Sequence, residues 1–126
     1  MKGVAALAIL GCAGVTGAGV VETGDVARGE RAFQKCYACH SVEPDEQELT
    51  GPNLRGVIGR PIAATPGFAY SEELRGLAAR EGRWSGTLLD AFIADPEELA
   101  PGNDMLFNGI TDSGERADLI AYLRAN

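Results

Sequence analysis

Within five residues, Cys36-Tyr37-Ala38-Cys39-His40 sets two thiols beside the chain's single imidazole. No other stretch narrows the possible folds as far. Two intervening residues on a helical turn hold the sulfurs a fixed distance apart, and the histidine projects from the same turn. This C-x-x-C-H spacing is the one by which two thiols add across the vinyl groups of heme while the adjacent histidine takes the iron. Three other readings compete with it. A thioredoxin-like redox pair needs a preceding strand and a βαβ setting, and the sequence before Cys36 offers neither. A structural zinc site needs four ligands, and the cluster of Cys36, Cys39 and His40 has no second pair to complete it. A Cys36–Cys39 disulfide leaves His40 and the long loop after it unexplained.

A ligand for the other face of the ring follows by elimination. His40 is the only histidine, and Met1 and Met105 are the only methionines. Met1 belongs to the opening segment, so Met105 is the one thioether of the folded part. Pro101-Gly102-Asn103 turns the chain just before it and can bring it opposite His40. The alternative use of a methionine is to fill a gap in the core. A His/Met pair is the ligand set of electron-carrying cytochromes and raises the reduction potential. It also fills the coordination shell, which favours electron transfer over peroxidase or oxygenase chemistry.

At 126 residues the chain has room for one domain. Three cysteines, at Cys12, Cys36 and Cys39, are too few for a disulfide framework. A net charge of -7 makes nucleic acid a poor partner. In the first 21 residues Lys2 is the only charge, and Val4 to Val21 is an apolar run broken only by Gly and Thr. We read residues 1–22 as a secretory signal or an N-terminal membrane anchor. Ile9-Leu10-Gly11-Cys12 also loosely resembles a lipoprotein box, with Cys12 as the acylated residue. Each outcome places residues 23–126 outside the cytoplasm, in the periplasm, free or tethered to the inner membrane.

Beyond the leader, Asp25 can cap a helix over 26–38 in which Val26, Phe33 and Tyr37 recur at helical spacing. Residues 41–70 carry loop signals, such as Gly51-Pro52 and Pro66-Gly67, and little periodicity. A loop this long is unusual unless it wraps something, and a cofactor answers that need. Ser71 can cap a helix to about Arg80, stopped at Gly82. Leu88, Leu89, Phe92 and Ile93 suggest a third helix ended by Asp95-Pro96. Asp112 and Glu115 are spaced as a capping box for a last helix with Leu119, Ile120, Tyr122 and Leu123 on its apolar face. No strand alternation is visible. The expected fold is all-α, four to five helices with long loops around one heme.

These residues resemble class I cytochrome c, of the bacterial and mitochondrial type, over about Gly24 to Asn126. The matching segments run in order: Gly24-Asp25-Val26 through His40-Ser41-Val42-Glu43, Thr50-Gly51-Pro52-Asn53-Leu54, Gly59-Arg60, Pro66 to Ser71, Trp84, Pro101 to Met105, and Arg116 to Leu123. The resemblance implies one heme c bound through Cys36 and Cys39, with the Pro52 carbonyl accepting the His40 ring proton. It implies that Arg60, Tyr70, Trp84 and Asn103 contact or hydrogen-bond the heme propionates. It also places Gly29, Phe33, Leu119 and Tyr122 at the crossing of the first and last helices.

Four features depart from the mitochondrial pattern. Phe92 stands where a tyrosine hydroxyl would approach the methionine sulfur, and Leu74 replaces an asparagine. The Tyr70 to Trp84 interval is longer, and Asp104 takes the place of a lysine. With the net charge, Asp104 argues against a lysine-ringed docking face and for a redox partner with a basic or mostly apolar surface. The expected function is one-electron transfer between redox complexes of a respiratory or photosynthetic chain, not enzymatic catalysis. The rival readings are a heme c subunit of a larger oxidoreductase and a ligand-binding or peroxidase-like heme protein.

Overall fold

Asp25 starts the first helix by accepting the Arg28 backbone N–H at 2.8 Å, an N-cap that satisfies one of the orphan donors of the first turn. The helix α1 (Val26–Phe33) buries Gly29, Ala32 and Phe33. The computed structural model describes residues 23–126; the opening segment, with Cys12, lies outside the described residues. Four more helices follow: α2 (Glu72–Glu81), α3 (Gly86–Ala94), α4 (Pro96–Leu99) and α5 (Ser113–Ala125). Among the described residues there is no strand, only an isolated antiparallel bridge between Pro61 and Arg83. The domain is all-α, as its sequence indicates.

Two boundaries differ from expectation. The first helix stops at Phe33, not at residue 38, because its ladder tightens into i→i+3 bonds from Gln34, Lys35 and Cys36. Val26 and Tyr37 are exposed, at 46% and 59%, so of the three apolar residues at helical spacing only Phe33 belongs to the core. Asp95-Pro96 ends α3 and also begins the unforeseen α4. There the Asp95 carboxylate accepts the N–H groups of Glu97 and Glu98 at 3.1 and 3.3 Å, with Pro96 in the first turn.

The strongest packing lies between the ends of the chain, where α1 crosses α5. Gly29 makes the crossing possible: a Cβ there would sit 1.9 Å from the Asp118 carbonyl oxygen. Gly24 meets Ala117 equally closely. Phe33 packs its ring 5.3 Å from that of Tyr122, and Leu119 beneath is 1% exposed. Fully burying such an apolar side chain is worth about 1.5–3 kcal/mol.

A polar clasp fixes the register of the two helices. The largely buried Asp118 carboxylate accepts the Asp25 N–H at 2.6 Å and the Arg28 guanidinium at 2.8 and 3.1 Å. Those bonds, the Arg28 pair foremost, hold the Asp118 carboxyl below the usual range. At the start of α5, Asp112 accepts the Glu115 N–H at 2.7 Å. The Glu115 carboxylate, expected to complete a capping box, pairs instead with Lys35 of the first turn after α1.

The loop between His40 and Ser71 is part of the core. Ser41, Val57 and Ile62 are each under 5% exposed. Asn53 organises its first half, donating to the carbonyls of Glu43 and Glu46 at 2.7 and 2.8 Å while accepting the Arg55 N–H. Its second half is tied to the segment before α3 by Gly59 N–H to Trp84 O, Trp84 N–H to Arg60 O and Ile62 N–H to Gly82 O.

Gly29→Ala is expected to cost about 1–3 kcal/mol by overpacking the crossing, read as a lower denaturant midpoint. Asp118→Asn tests the clasp. Because folding depresses this carboxyl, its stabilisation is complete above the ordinary carboxylate range, about pH 4, and drains as pH falls through that range. The wild type should exceed the variant in stability at neutral pH, and the gap should close in acid. A gap that is constant with pH contradicts the clasp.

Candidate heme site

The turn after α1 fixes the direction of the motif. Cys36 and Tyr37 donate their N–H groups to Phe33 O at 2.8 and 3.0 Å, and His40 N–H reaches back to Cys36 O at 2.9 Å. This turn leaves Tyr37 and Ala38 exposed and draws Cys36, Cys39 and His40 toward the interior, each half-buried. Both cysteines are free thiols. Burial pushes the Cys36 thiol up to about 11, with Lys35 opposing, so it is held as the neutral S–H that adds to a vinyl group.

His40 is clamped by the residues twelve positions ahead. Its Nδ1 lies 2.7 Å from the Pro52 carbonyl oxygen. A carbonyl can only accept, so Nδ1 carries the proton and Nε2 keeps its lone pair for a metal. Beneath the ring, Gly51 donates its N–H to Cys39 O at 2.7 Å. A Cβ on Gly51 would stand 2.4 Å from His40 Cε1. Glycine is therefore required here for close approach. Burial, opposed by the bond to Pro52, moves the His40 pKa down and keeps the ring neutral, as a ligand must be.

Met105 sits in a loop pinned from both sides. Ahead of it, Asn103 Oδ1 accepts the Met105 N–H at 2.8 Å, while Asn103 Nδ2 donates to Ala100 O and Pro96 O at 2.9 and 3.3 Å. Behind it, Gly109 runs so near Ala94 that a Cβ there would lie 2.1 Å from Ala94 O, and Ile110 N–H bonds Ile93 O at 2.9 Å. Met105 itself is half-buried against the core. Asn103 Nδ2 also lies 3.5 Å from Glu97 Oε2, so this one amide ties the turn to α4 and sets the position of Met105.

Arg60, Tyr70 and Trp84 come together elsewhere. Arg60 Nη1 donates to Asn53 O at 2.9 Å and Arg55 O at 3.3 Å, but its buried Nε has no partner, and neither has the buried Thr65 hydroxyl. Burial pushes the Arg60 pKa down, with Tyr70 close enough to oppose the shift. The Tyr70 hydroxyl accepts the Thr65 N–H at 3.1 Å, which leaves its own proton to donate. Trp84, 7% exposed, is bonded to Arg60 through its backbone and packs its ring 5.1 Å from that of Phe92. Arg60 and Thr65 line a cleft of about 290 Å³ together with Asn53, Arg55 and Pro66.

A buried guanidinium N–H, a buried hydroxyl and a tyrosine proton, all in need of an acceptor, suit the carboxylates of a heme. The residues present fit that group. A larger cleft of about 520 Å³ lies between Thr23–Ala32 and Asp112–Asp118, and no motif residue lines it. Sequence reasoning missed Thr65 and the role of Gly51. Nothing in the sequence marks Thr65, whereas the Gly-Pro pair was a visible signal for a backbone passing close to something.

Comparison with known proteins agrees with this geometry. The cytochrome c family model matches residues 26–126. Cytochrome c of Chlamydomonas reinhardtii is 42% identical over 102 residues, covering 80% of this chain and 88% of that one. Cytochrome c2 of Rhodomicrobium vannielii is 33% identical over 117 residues, covering 93% and 91%. The structure of cytochrome c2 from Rhodospirillum centenum superposes with a TM-score of 0.74 at 37% identity, over 81% of this chain and 98% of that one. Cys36 and Cys39 occupy the positions through which this family binds one heme c covalently. The chain belongs to the class I cytochrome c family, whose members are electron-transfer proteins and not enzymes.

Proposed function

We propose that this protein carries single electrons between redox complexes of a respiratory or photosynthetic chain, and that His40 and Met105 would hold the iron of its heme. The carrying observation is His40 itself, its Nδ1 committed to Pro52 and its ring braced on Gly51. Met105 is the only methionine among the described residues, and its loop is anchored to α3 and α4. Heme supplies an iron that gains or loses one electron without making or breaking bonds to substrate.

The chain's residues supply position and environment. Cys36 and Cys39 fasten the ring. Pro52 fixes the His40 tautomer and raises its basicity as a ligand. Arg60, Thr65 and Tyr70 would answer the propionate charge, with Trp84 tied to Arg60 through its backbone. No residue performs acid–base chemistry. Phe92 brings no hydroxyl toward Met105, so the thioether lacks the tyrosine hydrogen bond of the mitochondrial pattern. The proposed setting is the periplasm, reached by residues 1–22 as a secretory signal or a tether; among the described residues no helix is long and apolar enough to cross a membrane.

Absorption spectroscopy of the protein made with a heme-attachment system tests the ligand set. The ferric wild type should show the weak far-red band of sulfur on iron, and the ferrous form should not bind carbon monoxide. Met105→Ala should lose the band and take up carbon monoxide; a wild type that does so contradicts the reading. Gly51→Ala should twist the His40 ring off Pro52, cost about 1–3 kcal/mol by overpacking, and lower the low-spin ferric fraction. A Gly51→Ala protein with wild-type spectrum and stability contradicts the clamp.

A further inference from the structure

Leu106 follows Met105 and is 101% exposed, as open as in an extended peptide, although nearly every other large apolar residue of the described chain is at least partly covered. Around this loop stand carboxylates. Asp104 precedes Met105 and is exposed. Glu97, on α4, accepts the Gly102 N–H at 2.7 Å, and Glu98 beside it is exposed. From α2, Glu73 Oε1 would lie 3.5 Å from a Cβ on Gly102. Among the described residues, Arg80 is the cation whose bond to this group of elements stands out, its Nη2 donating to Leu99 O at 3.1 Å. Arg75 lies about 200° round α2 from Glu73, on another face.

We infer that the Leu106 tip and the carboxylates of Glu73, Glu97, Glu98 and Asp104 form the docking surface for a redox protein whose own face is cationic around an apolar centre. The inference rests on the electron-carrier reading and adds the chemistry of the partner. A leucine held in water gains by burial only when a partner covers it. The acids along the turn that leads to it select for positive charge, speed encounter with it, and repel an acidic surface. The patch adjoins Met105, so a partner seated here is next to the proposed iron ligand. One electron crosses and no bond forms or breaks.

Voltammetry of the holoprotein on gold coated with mixed amine- and methyl-terminated thiols tests this. The wild type should adsorb and give a reversible wave, and on carboxylate-terminated thiols its coverage should fall about tenfold. The E97K/E98K/D104K variant should lose a similar factor on the mixed film. The D45K/E46K/E48K variant makes the same charge change in the exposed loop that packs on Asn53, and should keep its wave. Leu106→Ser should lower coverage on the mixed film but not on an all-amine one. Equal losses in the two triple variants, undiminished adsorption on carboxylate, or an unaffected Leu106→Ser each overturn the proposal. The far-red sulfur band, recorded for every protein, separates the two levels: its absence from the wild type counts against the electron-carrier reading, whereas failed adsorption with the band intact counts against the docking surface alone.

Discussion

The hydrogen bond between His40 Nδ1 and the Pro52 carbonyl is the constraint from which the site is built. It joins the turn after α1 to the long loop, and it decides which ring nitrogen is left for a metal. The rest of the loop follows from where Pro52 must be. Gly51 has no side chain because the ring occupies that space. Asn53 gathers the carbonyls of Glu43 and Glu46. Arg60 then hangs from the Asn53 carbonyl and is tied through its backbone to Trp84. One local bond thus sets the positions of residues from two distant parts of the chain.

The scaffold holds this arrangement by closing its ends. Gly29 lets α1 and α5 touch backbone to backbone, and Asp118 locks their register with charge-assisted bonds to Arg28. This is a different use of charge from that at Arg60. Asp118 is satisfied by its partners and acts in stability, whereas Arg60 keeps a buried N–H without one. A group that folding leaves unsatisfied is costly by itself, and a carboxylate bound in the adjoining cleft would relieve that cost.

Much of this was legible in the sequence because it depends on local spacing. The C-x-x-C-H pentad and the caps at Asp25, Ser71 and Asp112 each act over a few residues, Met105 stands out once Met1 is assigned to the opening segment, and the glycine at the helix crossing comes with the family resemblance. What was not legible depends on competition between partners. Helix α1 was expected to reach residue 38, but the turns that aim the cysteines inward end it at Phe33. Glu115 was expected at its own cap and pairs with Lys35 across the crossing. The bonds by which Asn103 pins the turn before Met105, to Ala100, Pro96 and Glu97, depend likewise on which acceptors folding brings near. Thr65 became visible only through its burial beside Arg60.

If His40 and Met105 together hold the heme iron, as proposed, the Met105 thioether must sit on the metal. Proton NMR of the ferrous holoprotein tests it without altering the chain. A methionine bound to low-spin ferrous heme lies in the ring current, so its methyl group should appear as a three-proton resonance far upfield of every other methyl. The wild type should show that resonance. A ferrous spectrum without it, showing the broadened, widely shifted lines of an open high-spin iron, would contradict the account.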